Sequence, residues 1–359
     1  LFILIVSMIC SGCSEKPGTN HQEAPPFEEI RKIDIHSHIF EDIPSLVSML
    51  RQNNVQIVNI CNRGLDGHLK EMHEIAYELY DKYPDLFPYA STFSLENVNE
   101  PGYSEEVIQW LDQTYEAGAV MTKIWKEIGM EVKDSTGDFL MPDDPVFEPI
   151  YAHLENRGVP LLAHVADPID AWRPLDPESV HYGYYSQNPE WHVYERPDFP
   201  SHEEIIESRD NILKNYPDLI VIGAHLGSLE HDVDEVARRF DEYPNFYVDV
   251  SARTRDLTRQ PREKVREFFL NYHDRILYGV DVTWRPYRTG PRTEDEKVAF
   301  TDRLEERLRL DYAFYAGTDS LEYAGHKVRG LGLPRDVLEN FYSGNVRRLL
   351  PGLGTTDED

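Results

Sequence analysis

Short apolar runs alternate with longer amphipathic stretches from residue 31 onward. The amphipathic stretches, such as residues 68–83, 104–117 and 202–216, have helical spacing, and several end at a Pro that cannot continue a helix. The apolar runs predict eight strands, at residues 33–36, 55–61, 86–93, 119–125, 159–165, 219–225, 246–250 and 275–281. Strands alternating with helices in this number predict an α/β fold, a (β/α)8 TIM barrel. An open, doubly wound sheet is the alternative, but no Gly-rich loop follows the first strand.

Two stretches interrupt the alternation, residues 166–200 after the fifth strand and residues 283–330 after the eighth. Both follow strand carboxyl ends, where barrel enzymes place their active-site loops. Both are rich in aromatic residues, so they form either pocket walls or anchors that hold long loops to the barrel. The aromatic residues concerned are Trp172, Tyr182, Tyr184, Tyr185, Trp191, Tyr312, Phe314, Tyr315 and Tyr323.

Histidine or aspartate residues stand at the ends of four predicted strands. His36 and His38 follow the first strand two residues apart, so both side chains point to the same face. His164, His225 and Asp281 end the fifth, sixth and eighth strands. A closed barrel brings these ends to one mouth, and imidazoles with a carboxylate suit a first-row divalent ion such as zinc. A catalytic ion of this kind acidifies a bound water towards neutral pH.

This set of strand ends resembles the amidohydrolase superfamily, and most of all its aminocarboxymuconate-semialdehyde decarboxylase-like branch of metal-dependent enzymes. The C-terminal segment from Leu333 to Leu350 is similar to the closing helix of that branch, and the resemblance covers about residues 31–351. It implies that His36, His38, His164 and Asp281 bind the metal. It also implies that His225 is catalytic beside the metal. We further expect Asp281 to take part in catalysis by accepting the proton of the attacking water.

One departure from the family pattern is Val280 in Gly279-Val280-Asp281, where a Thr is common; only a supporting hydrogen bond is put in doubt. Lys123, on the fourth strand, leaves two alternatives. It bridges two ions as a carboxylated lysine, as in binuclear amidohydrolases, or it contacts the substrate or a nearby acid beside a single ion. We expect one divalent ion, zinc or else manganese, and two only if Lys123 is carboxylated.

Four further residues are candidates for the substrate pocket. Trp172 and Arg173 lie in the stretch after the fifth strand, and Trp284 follows the eighth. Arg253 follows the seventh strand and either binds an anionic substrate group or forms a salt bridge to one of many acids.

The first residues differ from the rest of the chain. Residues 1–13 form a short apolar run ending in a lipobox-like Ile-Cys-Ser-Gly-Cys, which predicts a lipoprotein signal peptide that begins upstream of residue 1. Lipid on Cys13 would anchor the protein in the bacterial cell envelope; an ordinary secretory signal, giving a periplasmic or secreted protein, is the alternative. Residues 14–26 read as a flexible tether, 27–352 as the barrel domain and 353–359 as an acidic tail.

The net charge of −29 argues against nucleic-acid binding, because such a surface repels phosphate backbones. We expect a small-molecule substrate and membrane contact only through the lipid anchor. The chain could also form a homo-oligomer. The predicted activity is hydrolysis of an amide, ester or lactone bond. Non-oxidative decarboxylation and a catalytically silent, metal-stabilised binding lipoprotein are the alternatives.

Overall fold

The computed structural model describes residues 24–65, 67–350 and 353. Eight strands follow one another in a parallel sheet whose spatial order is the order of the sequence. They are β1 (Lys32–Ile39), β2 (Val55–Ile60), β3 (Tyr89–Ser91), β4 (Ala119–Ile124), β5 (Leu161–Ala163), β6 (Val221–Gly223), β7 (Phe246–Asp249) and β8 (Ile276–Leu277). The sequence therefore predicted the strands correctly, although most are shorter than the apolar runs.

The segment after β8 closes the sheet on β1. The Ile35 amide donates to the Tyr278 carbonyl, and the Asp281 amide donates to the His36 carbonyl. A further strand that the sequence did not predict, β9 (Thr283–Trp284), then pairs in parallel with the end of β1. The result is the predicted (β/α)8 barrel.

Eight long helices each follow one of the eight barrel strands along the chain. They are α1 (Pro44–Gln52), α2 (Leu69–Lys82), α3 (Tyr103–Glu116), α4 (Glu148–Arg157), α5 (His202–Asn215), α6 (Val233–Glu242), α7 (Arg262–Asn271) and α8 (Glu294–Ala316). Shorter helices span Tyr182–Gln187, Thr254–Leu257, Pro286–Thr289, Arg335–Glu339 and Asn345–Leu349.

The barrel interior is filled by apolar side chains from the strands. Ile33, Ile35, Met121, Leu162 and Leu277 belong to one buried cluster, which the closing helix joins through its own apolar residues. The side-chain amide of Asn345, in the closing helix, donates to the carbonyl oxygen of Ile276, the first residue of β8. The closing helix therefore covers the amino-terminal opening of the barrel. The other mouth, at the strand carboxyl ends, remains for polar residues.

The two aromatic stretches fold differently from each other. Residues 166–200 are mostly irregular around the helix Tyr182–Gln187. Residues 283–330 contain α8 and a hairpin of β10 (Ser320–Tyr323) and β11 (His326–Arg329). This stretch therefore has more regular secondary structure than its sequence suggested. Its aromatic residues Tyr312, Phe314, Tyr315 and Tyr323 are buried in the core, which favours the anchoring interpretation for them.

The predicted lipid-bearing Cys13, the signal segment, most of the tether and most of the acidic tail lie outside the described residues. Among the helices of the described part of the chain, none is long and apolar enough to cross a membrane. Cys61 is fully buried and packs with Met72 and Ala76 of α2.

Candidate metal centre

Six side chains predicted to carry chemistry lie at the carboxyl-terminal mouth of the barrel. His36, His38 and Lys123 come from β1 and β4, while His164 follows β5 directly, His225 lies two residues after β6 and Asp281 lies four residues after β8. Five of the six are buried, and Asp281 is partly exposed, with a side chain that keeps 28% of its exposure.

Each of the two β1 histidines is held in place by a hydrogen bond from its Nδ1. His36 Nδ1 lies 3.0 Å from Asp249 Oδ2, and His38 Nδ1 lies 2.7 Å from the Ile60 carbonyl oxygen. A carbonyl oxygen can only accept, so His38 carries its proton on Nδ1 and presents a lone pair at Nε2. His38 Nε2 faces Asp281 Oδ1 at 3.4 Å. These contacts leave the Nε2 atoms and the Asp281 carboxylate turned towards a common point.

His225 completes the group from the opposite side of the mouth. Its Nδ1 donates to the Ser251 carbonyl oxygen at 2.7 Å, and its Nε2 lies 4.0 Å from Asp281 Oδ2. Its ring centroid lies 4.6 Å from that of His36 and 4.4 Å from that of His164. Asp281 thus directs one oxygen to His38 and the other to His225.

The residues present fit a divalent ion, and His164 gives the clearest sign. Its buried Nε2 has no hydrogen-bond partner among the described residues. A buried polar nitrogen without a partner is costly, and a metal bond would satisfy it. Two sets of side chains have ligand atoms close enough to share an ion: His36, His38 and Asp281, and His36, His225 and Asp249.

The electrostatics of the site also suit metal binding, which requires neutral imidazoles. Burial lowers the pKa of His38 to about 3, with the Arg285 charge adding to the effect. Burial likewise holds the pKa values of His164 and His225 well below their usual range. Although burial opposes it, the contacts with His38 and His225 hold the pKa of Asp281 well below its ordinary value.

Lys123 is fully buried within the group. Its Nζ lies 3.2 Å from His36 Nε2, and burial lowers its pKa to about 7. A lysine with this pKa is partly neutral at physiological pH, so both alternatives for Lys123 are compatible with its position.

Two buried aspartates that the sequence interpretation did not assign to the site hold the strand ends in place. Besides His36, Asp249 accepts from the amides of His225 and Ser251, both at 2.9 Å. Asp34 accepts from the amides of His36 and Val280, at 2.9 and 3.0 Å, and from the Ser37 hydroxyl. Burial raises the pKa of Asp34 to about 6. The sequence offered one sign of this role: each aspartate lies on a strand two residues before another polar residue, His36 or Ser251.

The backbone at the site is strained in two places. His225 and Asp281 adopt φ of 59° and 64°, in the left-handed region that L-residues rarely occupy. The strain is held by the hydrogen bonds from the two backbone amides, His225 to Asp249 and Asp281 to the His36 carbonyl. Such strain is concentrated at functional sites.

The four pocket candidates lie in different surroundings. Trp172 donates to the Pro200 carbonyl and packs on His202, so it fastens the stretch after β5 to α5. Arg173 is half exposed and pairs with Asp170 at 3.6 Å. Trp284 donates to Glu41 and packs on Phe300 of α8. These contacts give Trp172 and Trp284 anchoring roles rather than a place against the metal ligands.

Arg253 is buried next to the centre. Its Nε lies 3.7 Å from Glu230 Oε2. Burial is the main cause that lowers the pKa of His225, and the Arg253 charge lowers it further. Burial raises the pKa of Glu230 to about 7. Glu230 is therefore the acidic partner that one of the two interpretations of Arg253 expected, although the two groups are farther apart than a hydrogen bond.

A parallel barrel with imidazoles and a carboxylate gathered at its carboxyl-terminal mouth belongs to the class of metal-dependent barrel enzymes. Residues 101–352 match the amidohydrolase family model, and the chain belongs to that family. The matched part contains Lys123, His164, His225 and Asp281, whereas His36 and His38 precede it. No curated protein matches the chain closely enough to count as a relative.

Solved structures confirm the fold. A dihydroxybenzoic acid decarboxylase from Polaromonas sp. JS666, with bound manganese and the inhibitor 2-nitroresorcinol, is 14% identical with a TM-score of 0.54, over 91% of this chain and 98% of its own. A 2,6-dihydroxybenzoate decarboxylase in complex with 2,6-dihydroxybenzoate is 14% identical with a TM-score of 0.53, over 90% and 99%. An uncharacterized TIM-barrel protein from Bordetella bronchiseptica is 16% identical with a TM-score of 0.50, over 91% and 100%.

Proposed function

We propose that the protein is a metal-dependent hydrolase that cleaves an amide, ester or lactone bond of a small molecule. The single observation that carries this is that His36, His38 and Asp281 bring ligand atoms close enough to one point to share an ion. The buried Nε2 of His164, which makes no hydrogen bond among the described residues, is proposed as the further ligand. His225 lies beside this point without being needed as a fourth ligand. A silent metal-stabilised binding protein would have no use for it.

In this proposal His36, His38, His164 and Asp281 hold one divalent ion, zinc or manganese. When bound, the ion would lower the pKa of water and polarise the substrate carbonyl. Asp281 has one oxygen towards His38 and the other towards His225, so the second oxygen is placed to accept a proton from the attacking water and return it to the leaving group. His225, with its Nδ1 proton donated to the Ser251 carbonyl, presents an Nε2 lone pair that can accept a hydrogen bond from that water and orient it.

The number of ions depends on Lys123. The neutral amine can add carbon dioxide and release a proton, and the resulting carbamate would supply an extra ligand if a second ion were bound. The proposal takes the single-ion form because Lys123 Nζ already lies 3.2 Å from His36 Nε2, where it can act as a hydrogen-bond donor to a substrate or an acid.

Non-oxidative decarboxylation is the second candidate. The fold similarity to two dihydroxybenzoate decarboxylases, over nine tenths of this chain, is the observation that favours it. Such a reaction would also use a metal at the barrel mouth, together with a proton donor for the carbon that loses carbon dioxide.

One screen separates the candidates. Purified protein reconstituted with zinc, and separately with manganese, would be incubated with esters, lactones, N-acyl compounds and aromatic carboxylates. Acid release at constant pH reports hydrolysis of esters and lactones, amine release reports hydrolysis of N-acyl compounds, and trapped carbon dioxide reports decarboxylation. Turnover of a neutral ester, lactone or amide without carbon dioxide supports the hydrolase. Carbon dioxide release from a carboxylate with no hydrolysis would replace it with the decarboxylase.

A further inference from the structure

A cleft of about 470 Å³ lies between the loop after β4 and residues 190–199. We call it the aromatic cleft, after the rings of Phe139, Trp191 and Phe199 that line it. Phe139 and Phe199 are in contact, with ring centroids 4.7 Å apart. No role for this cleft follows from the metal centre alone.

Trp125 packs between the aromatic cleft and the proposed metal centre, which therefore lie next to each other. The ring centroid of Trp125 lies 5.4 Å from that of Trp191 on the cleft side and 6.2 Å from that of His164 on the metal side. Trp125 follows β4 directly, so the barrel itself holds it between the two. A substrate whose reacting bond lies at the metal centre would place a distal group in the cleft.

The rings of the cleft and its wall each carry a cation on one face. Lys133 lies 4.4 Å from the Phe139 centroid and Arg196 lies 4.0 Å from the Phe199 centroid. On the wall, Arg63 lies 4.7 Å from the Trp125 centroid. Planar guanidinium groups held this way offer flat surfaces on which another ring can stack.

The charges of the cleft cancel. Arg63, Lys133 and Arg196 face three carboxylates in the lining, those of Glu131, Glu190 and Asp198. Arg63 pairs with Glu131 at 3.7 Å, and Arg196 pairs with Asp198 at 3.9 Å. With balanced charges and aromatic walls, the cleft favours a flat uncharged ligand over an ionic one.

We propose that the aromatic cleft binds an uncharged aromatic group of the substrate, distal to the bond that reacts at the metal centre. This inference rests on the proposed function, because the metal centre defines which end of the substrate is distal. It narrows the substrate class to compounds that join an aryl group to the reacting amide, ester, lactone or carboxylate.

The test uses 2-naphthol as the probe and its saturated analogue 2-decalol as the matched ligand, with binding followed by titration calorimetry. The metal-loaded wild type should prefer 2-naphthol. Phe199→Ala and Phe199→Leu should each weaken 2-naphthol binding roughly five- to tenfold, because leucine restores bulk but not the ring. Tyr194→Ala is the control, since Tyr194 is exposed in the same stretch but does not line the cleft.

Two results would contradict the inference. Equal affinity for 2-naphthol and 2-decalol, or full 2-naphthol affinity in Phe199→Leu, would show that no aromatic group is selected. Circular dichroism and the melting temperature establish that the variants fold. Repeating the titration with His36→Ala separates this inference from the proposed function, because loss of the metal should leave 2-naphthol binding within about twofold.

Discussion

Asp249 joins the two sides of the proposed metal centre, because its carboxylate holds the His36 ring with one oxygen and the His225 backbone amide with the other. Although burial opposes it, the charge and hydrogen bond of His36 keep the pKa of Asp249 well below its ordinary value. The carboxylate therefore remains ionised and fixes the proton of His36 on Nδ1. That tautomer leaves the lone pair on Nε2, which faces Lys123 Nζ at 3.2 Å in this structure and is the atom that would bind a metal ion.

Asp249→Asn should weaken metal binding without unfolding the protein. The amide is uncharged and able to donate, so it no longer fixes the tautomer of His36, and losses of about 10- to 100-fold in metal affinity are typical for such partners. Competition with a chromophoric chelator measures the dissociation constant. Asp241→Asn, an exposed position on α6 that accepts from Tyr272, is the matched control. Unchanged affinity in Asp249→Asn would mean that the pair does not organise the site.

The metal content tests the ligand assignment. The purified wild type should contain close to one equivalent of zinc or manganese, a chelator should remove it, and His36→Ala should lose most of it. Elemental analysis by mass spectrometry gives the stoichiometry. A His36→Ala/His164→Ala double variant that still binds a full equivalent would refute the assignment. Two equivalents, with carbon dioxide needed for reconstitution, would instead support the binuclear form with carboxylated Lys123.

Glu127 should make stability depend on pH. It is 2% exposed, and burial raises its pKa from 4.5 to about 7. The folded protein then retains a proton that the unfolded chain loses, so the free energy of unfolding should fall between about pH 4.5 and 7, by at most about 3 kcal/mol. Glu127→Gln keeps an acceptor for the Gly64 amide and should flatten this part of the profile in urea titrations. The exposed Glu105→Gln should leave it unchanged, and equal profiles for the wild type and Glu127→Gln would contradict the prediction.

The lipid anchor remains a prediction from sequence. Full-length protein with a complete signal peptide, expressed in a bacterium with labelled palmitate, should incorporate the label at Cys13 and fractionate with membranes. Cys13→Ser should abolish both, while the buried Cys61→Ser should keep both. A wild-type protein without label would favour the plain secretory signal.

The strand ends of the site were predictable from sequence because two simple rules place them. Side chains alternate along a strand, which puts His36 and His38 on one face, and a closed barrel gathers strand carboxyl ends, which adds His164, His225 and Asp281. The assignment of these residues to metal and catalysis came from a family resemblance and stays a proposal. What the barrel supplied was their proximity.

Other parts were not predicted, for physical reasons that differ. Asp249 and Asp34 each lie two residues from another polar group, but their hydrogen bonds to the amides of His225 and Val280 depend on the fold and could not be seen in the sequence. The aromatic cleft depends on Phe139 meeting Phe199 across a long sequence separation. Helix α8, in contrast, carried a local signal that was overlooked: Thr293 and Glu296 form a reciprocal capping box at its start.

His225 and Asp281 should separate catalysis from metal binding. His225→Ala removes no proposed ligand, so it should retain metal yet lose at least roughly 100-fold in turnover, the usual contribution of a positioned proton-transfer group. Asp281→Asn should lose activity even with metal supplied in excess, because an amide cannot accept the proton of the attacking water. The measurements are kcat and metal content on a substrate found in the screen, with His153→Ala, whose imidazole pairs with Asp112 on the outer helices, as the matched histidine control. Full turnover in metal-loaded His225→Ala would reduce His225 to a wall of the pocket and leave Asp281 as the sole group for proton transfer.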